Sequence, residues 1–161
     1  MPDPASTAGT PELIEHILER FHEAHRRDLP ALVAQARTLQ GLGVAAGLAP
    51  RLEALAAALE LHMFKEEMRL FPMMDQGGHT LIGHLIQDLH EEHARHDAEV
   101  ATLHQHAHGL LSAVATGTDG AASDQARVLL ALLDRFVDDL AQHMHIEDEV
   151  LFKRYVAASA A

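Results

Sequence analysis

Two blocks of this sequence carry one pattern: His62-Met63-x-x-Glu66-Glu67-x-x-Leu70-Phe71 and His143-Met144-x-x-Glu147-Asp148-x-x-Leu151-Phe152. In each, His and Glu stand four apart, which puts both on one face of a helix. The flanking residues make that face the apolar one. Leu129, Leu133, Phe136 and Leu140 lead to His143 and Glu147, with Val150 continuing the stripe, in the alternating steps of four and three of a buried helical seam. Leu52, Leu55 and Leu59 lead to His62 and Glu66 in the same way, and Leu70 follows. A buried, unpartnered Glu costs several kcal/mol, in a domain stable by about 5–15 kcal/mol. These stripes contain no Lys or Arg, so ion pairs within the seam cannot compensate. A metal cation can.

The remaining His residues follow the same logic. Leu18, His22, His25 and Leu29 share one side of a helix, and so do Ile82, Ile86, Leu89, His93, His96, Val100 and Leu103. Thr10-Pro11-Glu12 is a helix start, with a cap, a Pro in the first turn and an acid at the positive end. The first helix is expected to run towards Gln40, kinked or broken by Pro30 near Leu29. The second opens at Pro50, after the loop Gly41–Ala49, and ends at Phe71-Pro72. Gly77-Gly78 is a turn. The third helix runs from about Thr80 to Ala115, and the fourth from a Ser123 cap to about Val156. Only 4% of the residues are aromatic, so Leu, Ala, Val and Ile must do the packing, which suits helices. The fold class predicted is all-α, an up-down-up-down four-helix bundle over residues 10–156, with a disordered N-terminal tail at 1–9 and a C-terminal tail at 157–161.

The composition excludes several functions. With no Cys, thiolate metal sites, iron–sulfur ligation and Cys nucleophiles are out. A net charge of −12 argues against nucleic acid as a partner. No apolar run approaches the roughly 18 residues that span a membrane, and no secretory signal is evident, so a cytoplasmic location is expected.

Imidazole with carboxylate suits iron, manganese or zinc. Two carboxylates with four or more imidazoles exceed the needs of one ion, and two Glu can each bridge a metal pair. The ferritin-like alternative needs Glu-x-x-His twice, and that order occurs once, as Glu19-x-x-His22. The first helix of each hairpin supplies His-x-x-His: His22 and His25, then His93 and His96. Two similar hairpins related by a pseudo-twofold would bring all these groups to one layer.

The set His22, His62-x-x-x-Glu66, His93 and His143-x-x-x-Glu147 resembles the hemerythrin HHE cation-binding family. Its context, Phe21-His22-x-x-His25-Arg26-x-x-Leu29-Pro30, His62-Met63-x-Lys65-Glu66-Glu67-x-x-Leu70-Phe71-Pro72, Glu92-His93 and Glu147-x-x-Val150-Leu151-Phe152, is similar to the di-iron domain of the iron–sulfur cluster repair proteins. The resemblance spans about Glu12 to Tyr155. It implies a hemerythrin-like bundle holding two non-haem iron ions, oxo- or hydroxo-bridged and carboxylate-bridged. His22, His62, His93 and His143 would be terminal ligands, and Glu66 and Glu147 the bridges. It further implies a cytoplasmic protein of nitric oxide and oxidative stress that binds nitric oxide or dioxygen and helps restore damaged iron–sulfur proteins. Alternatives on the same site are a dioxygen carrier or sensor, a di-iron peroxidase or nitric oxide-consuming enzyme, and an iron store or purely structural metal site. The family has a further ligand His after the first helix, but none lies between His25 and His62 here. Either one metal keeps an open position, or His25 or His96 substitutes.

Overall fold

The computed structural model describes residues 7–159, with side chains as far as Val156. Residues 1–6 and 160–161, and the parts of the two expected tails that fall there, lie outside the described residues. The chain forms four helical rods. The first comprises α1 (Thr10–Ile17), a π-helical turn (Leu18–His22) and α2 (Glu23–Gly41). The second comprises α3 (Leu48–Lys65), a π turn (Glu66–Leu70) and α4 (Phe71–Asp75). The third is one unbroken helix, α5 (Ile82–Ala115). The fourth comprises α6 (Gly120–His145), a π turn (Ile146–Leu151) and α7 (Lys153–Ser159), which carries helix three residues beyond the expected end at Val156.

Each rod packs on its neighbours in sequence, and the first also packs on the fourth. The apolar side chains separate into two cores. One contains Leu13, Ile17, Leu70, Phe71, Ile86, Leu89, Leu151 and Phe152. The other contains Leu29, Leu32, Leu55, Leu59, Val100, Leu103, Phe136 and Leu140. Rods 1 and 3 pass from the first core to the second, and rods 2 and 4 pass back. That alternation is the up-down-up-down topology expected. On every rod the His and Glu residues stand between the two cores.

Glycine ends two of the rods. Gly77 (φ +90°) donates to the Met74 carbonyl at 3.0 Å and Gly78 donates to that of Met73 at 2.8 Å. This is the left-handed Schellman ending that favours Gly. Gly43 (φ +80°) ends α2 likewise, with Val44 donating to Leu39.

Several expected boundaries are corrected. Pro30 lies inside α2 without breaking it. Its ring is exposed, and the rest of a nineteen-residue helix packed into the bundle offsets the one lost hydrogen bond. Pro72 likewise sits inside the second rod, early in α4, where a missing N–H is tolerated. The fourth rod is capped by Asp119, whose carboxylate accepts from the Ala122 N–H at 3.3 Å. Ser123 instead sits in the first turn and donates to the Ala115 carbonyl at 2.7 Å. At the start of the first rod Gly9, not Thr10, holds the cap position.

The stripes hold on α5, where all seven predicted residues are buried. They hold on the second rod too, where Leu52, Leu55, Leu59, His62, Glu66 and Leu70 are all buried, but on the first and fourth rods they slip by one residue next to a π turn. Ile17 is buried where Leu18 was expected, and Leu151 where Val150 was expected. A π turn closes its hydrogen bond over five residues, as in Phe71 to Glu66 and Phe152 to Glu147 (2.7 Å), so the inward face skips one position.

Candidate metal centre

The six residues expected at the site, His22, His62, Glu66, His93, His143 and Glu147, are all buried and converge on one layer between the two cores. The π turns help to aim them. His22 ends the first, Glu66 begins the second, and Glu147 lies in the third. Each imidazole partner of a Glu comes from the α-helical turn just before it.

The donor atoms form two groups within metal-binding reach. One is His22, Glu66, His143 and Glu147; the other is His62, Glu66 and His93. Glu66 belongs to both. Its Oε2 lies 3.1 Å from His22 Nε2, and its Oε1 lies 3.0 Å from His62 Nε2 and 3.7 Å from His93 Nε2. His62 Nε2 and His93 Nε2 are 2.9 Å apart, and His143 Nε2 abuts Glu147 Oε1. Glu147 is in reach of the first group.

Most of these atoms are close without being hydrogen-bonded. Both carboxylate oxygens of Glu66 and of Glu147, both ring nitrogens of His22 and Nε2 of His143 are buried and lack a bonded partner. Native interiors rarely leave so many polar atoms unpaired together. The atoms point at common positions instead of at one another, and a cation would satisfy them. Imidazole with carboxylate fits a first-row metal ion.

The electrostatics lead to the same place. Burial would push both carboxyl groups up. Glu66 is nevertheless held well below the usual range by the neighbouring Glu147 carboxyl and by His62 and His22. Glu147 is pushed well up, first by burial and then by the charge of Glu66. The two carboxyl groups are thus driven apart, Glu66 toward its charged form and Glu147 toward its neutral one. Burial also depresses the His143 imidazole. For His93 burial acts downward, but the hydrogen bond to Asp148 and the nearby Glu66 carboxylate raise it to about 9.

Outer partners orient the rings. His62 Nδ1 donates to Glu92 at 2.7 Å, and Lys65 holds that carboxylate from the other side. His93 Nδ1 donates to Asp148 at 2.8 Å. His22 Nδ1 lies 3.6 Å from Glu67, which Arg26 anchors. Carboxylates in this position fix the tautomer and the direction of a ligating imidazole. Sequence reading assigned Glu92, Asp148 and Glu67 no such role. Their signal was adjacency: each directly follows or precedes a site residue in the chain.

The sequence offers His25 and His96 as substitute donors. Neither joins a donor group. His25 Nε2 lies 3.0 Å from His143 Nδ1 and so supports that ring. The His96 ring stands edge-on to that of His62, centroids 5.2 Å apart. Burial lowers both to about 4 and keeps them neutral.

A pseudo-twofold is visible in these contacts. Phe71 and Phe152, each five residues after a Glu, stack on His22 and His93 respectively. Glu67 and Asp148 face the same two imidazoles. The symmetry fails at the position before the first His of each hairpin. There Glu92 backs His62, while its counterpart Phe21 stacks on His143.

Among the described residues, no helix is long and apolar enough to cross a membrane. The chain is 30% identical to a probable iron-sulfur cluster repair protein of Haemophilus influenzae, over 92% of this chain and 66% of that one. It is 33% identical to the iron-sulfur cluster repair protein YtfE of Dickeya chrysanthemi, over 91% of this chain and 66% of the relative. Identity to the iron-sulfur cluster repair protein DnrN of Neisseria gonorrhoeae is also 33%, over 88% of each chain. The chain thus spans 66% of the length of the first two relatives. Residues 13–155 match the hemerythrin HHE cation binding domain. With that match covering nearly its whole length, the chain belongs to the hemerythrin HHE cation-binding family.

Proposed function

We propose that the buried layer holds two non-haem iron ions and that the protein binds nitric oxide in a stress response that supports repair of iron–sulfur centres. The observation that carries the metal pair is the sharing of Glu66 between two donor groups. One carboxylate within reach of two sets of imidazoles is what a bridged pair requires, and a mononuclear site would leave one set idle. In this reading His22, His62, His93 and His143 are terminal donors, and Glu66 and Glu147 are bridges. When bound, the iron pair supplies a redox-active centre able to take a small diatomic molecule.

The chain's own residues set the limits on that molecule. His22, Glu66 and Glu147 are fully buried, so the layer is closed to anything of metabolite size. A surface cleft of about 310 Å³, lined by His90, His93, Met144 and Asp148 among others, reaches the edge of the His93 imidazole. Apolar cores on both sides exclude bulk water. The repair role and a cytoplasmic setting rest on the names of the relatives and on the family resemblance.

The test is metal content after anaerobic ferrous loading and desalting, followed by nitric oxide titration. About two irons per wild-type chain, lost in Glu66→Ala, are expected. The reduced protein should then show a nitrosyl spectrum. One iron or none in the wild type would refute the pair. A long-lived, reversible dioxygen complex would favour the carrier reading over this one.

A further inference from the structure

A second cluster of metal-binding side chains lies on the outside of the bundle and shares no residue with the buried layer. His104 and His108 stand four apart on α5, so their rings lie one turn apart on one face. Asp134 faces them from α6. His104 Nε2 is 2.6 Å and His108 Nε2 2.7 Å from the same oxygen, Asp134 Oδ1. The three donor atoms lie within 4.8 Å of one another. The two rings meet edge to face, with centroids 4.7 Å apart. The cluster begins eleven residues beyond His93 on an unbroken helix, about 16 Å along its axis at 1.5 Å per residue.

We infer that His104, His108 and Asp134 form a surface site for one divalent first-row cation of the zinc(II) class, linking α5 to α6. The convergence is the argument. Both Nε2 atoms aim at one point, where each must now carry a proton to donate to a single carboxylate oxygen. Moving those protons to Nδ1 frees both Nε2 lone pairs for a cation, and Asp134 supplies the charge. Among the described residues, Asp134 forms hydrogen bonds and ion pairs with these two His alone, so no Lys or Arg competes for it. Ligands of a tetrahedral ion held at about 2.0–2.1 Å sit about 3.3 Å apart, so the side chains must spread slightly. All three are partly exposed, at 34%, 39% and 49%, and free to do so. Two imidazoles and one carboxylate suit zinc, nickel or copper, and are a poor set for calcium or magnesium, which take oxygen ligands. Three protein donors leave the remaining positions to water.

The experiment is zinc chloride titration of the iron-loaded protein by calorimetry, in chelator-free buffer under argon, with iron counted before and after. His108→Gln and Asp134→Asn are run beside the wild type. Both positions are exposed enough for the variants to fold, and circular dichroism checks that. The inference expects one zinc per wild-type chain that both variants bind at least about tenfold more weakly, with iron content unchanged. Cobalt(II) in place of zinc should give visible absorption in the wild type that both variants lose. Zinc that enters the buried layer contributes equally to all three proteins and cancels in the comparison. Equal zinc affinity in wild type and folded variants would overturn the inference, and so would the absence of zinc uptake by the wild type.

Discussion

Glu147 and His143 occupy positions that the seam of the fourth rod would otherwise give to Leu, and both are buried. Removing one leaves its partner stranded, whereas replacing both restores an apolar stripe. The double variant His143→Leu/Glu147→Leu should therefore match or exceed the metal-free wild type in stability, by up to about 1–4 kcal/mol in chemical denaturation. It should bind no iron pair. A double variant less stable than the metal-free wild type would mean that the layer contributes packing unrelated to metal. The outer carboxylates predict a different outcome. Glu92→Gln and Asp148→Asn keep the donors but loosen the orientation of His62 and His93. Metal stoichiometry should persist while affinity falls about 10–100-fold, as measured by competition with a chelator. The six candidate donors stand out in the sequence because imidazole and carboxylate interrupt an apolar stripe, and the structure buries all six in one layer. The supporting residues do not stand out, since a Glu beside a His on a helix is ordinary surface chemistry until a neighbouring rod closes over it.

The rods were legible wherever the period stays at 3.6 residues per turn, and α5 is the proof. They were misread beside the π turns of the first and fourth rods, because the extra residue leaves composition unchanged and shifts only the inward register; on the second rod Leu70 is buried as expected. The pairs Leu70-Phe71 and Leu151-Phe152 held the clue, since Phe71 and Phe152 are buried five residues after a Glu, a spacing α-helix does not favour. Proline was misread for a related reason: Pro30 and Pro72 act against a helix locally but are outweighed by a packed rod. Glycine gives this scale its prediction. Gly77 has φ +90° and an added methyl would meet nothing within 4 Å, so Gly77→Ala should cost about 1 kcal/mol through backbone strain alone. Gly109 also has open space around it, but it lies inside α5 without a positive φ. Gly109→Ala should stabilise by about 0.5–1 kcal/mol. Opposite signs in urea unfolding would separate conformation from contact; two shifts of one sign would contradict the assigned turn.

At the scale of the whole molecule, a polar layer divides the core in two, and the bundle needs ties that do not depend on the metal. The first and fourth rods have such ties. Arg20 meets Asp139 at 2.7 Å, and Arg135 meets the buried Asp28 at 3.0 Å. The Arg20 hydrogen bond holds the Asp139 carboxyl below its ordinary value of 3.8, against the opposing push of burial. A carboxyl depressed by folding contributes stability that is fully present above its unfolded value and is lost as pH falls through the folded one. Asp139→Asn should thus cost about 1 kcal/mol at pH 7, a modest figure because Arg20 is 44% exposed and screened by water. That difference should hold down to about pH 4 and shrink below it, as protonation of the wild type removes the same charge. Melting both proteins between pH 3 and 7 checks this. A gap that widens on acidification would mean that Asp139 is not held ionised by Arg20, and the closure of the fourth rod on the first would then rest on packing alone.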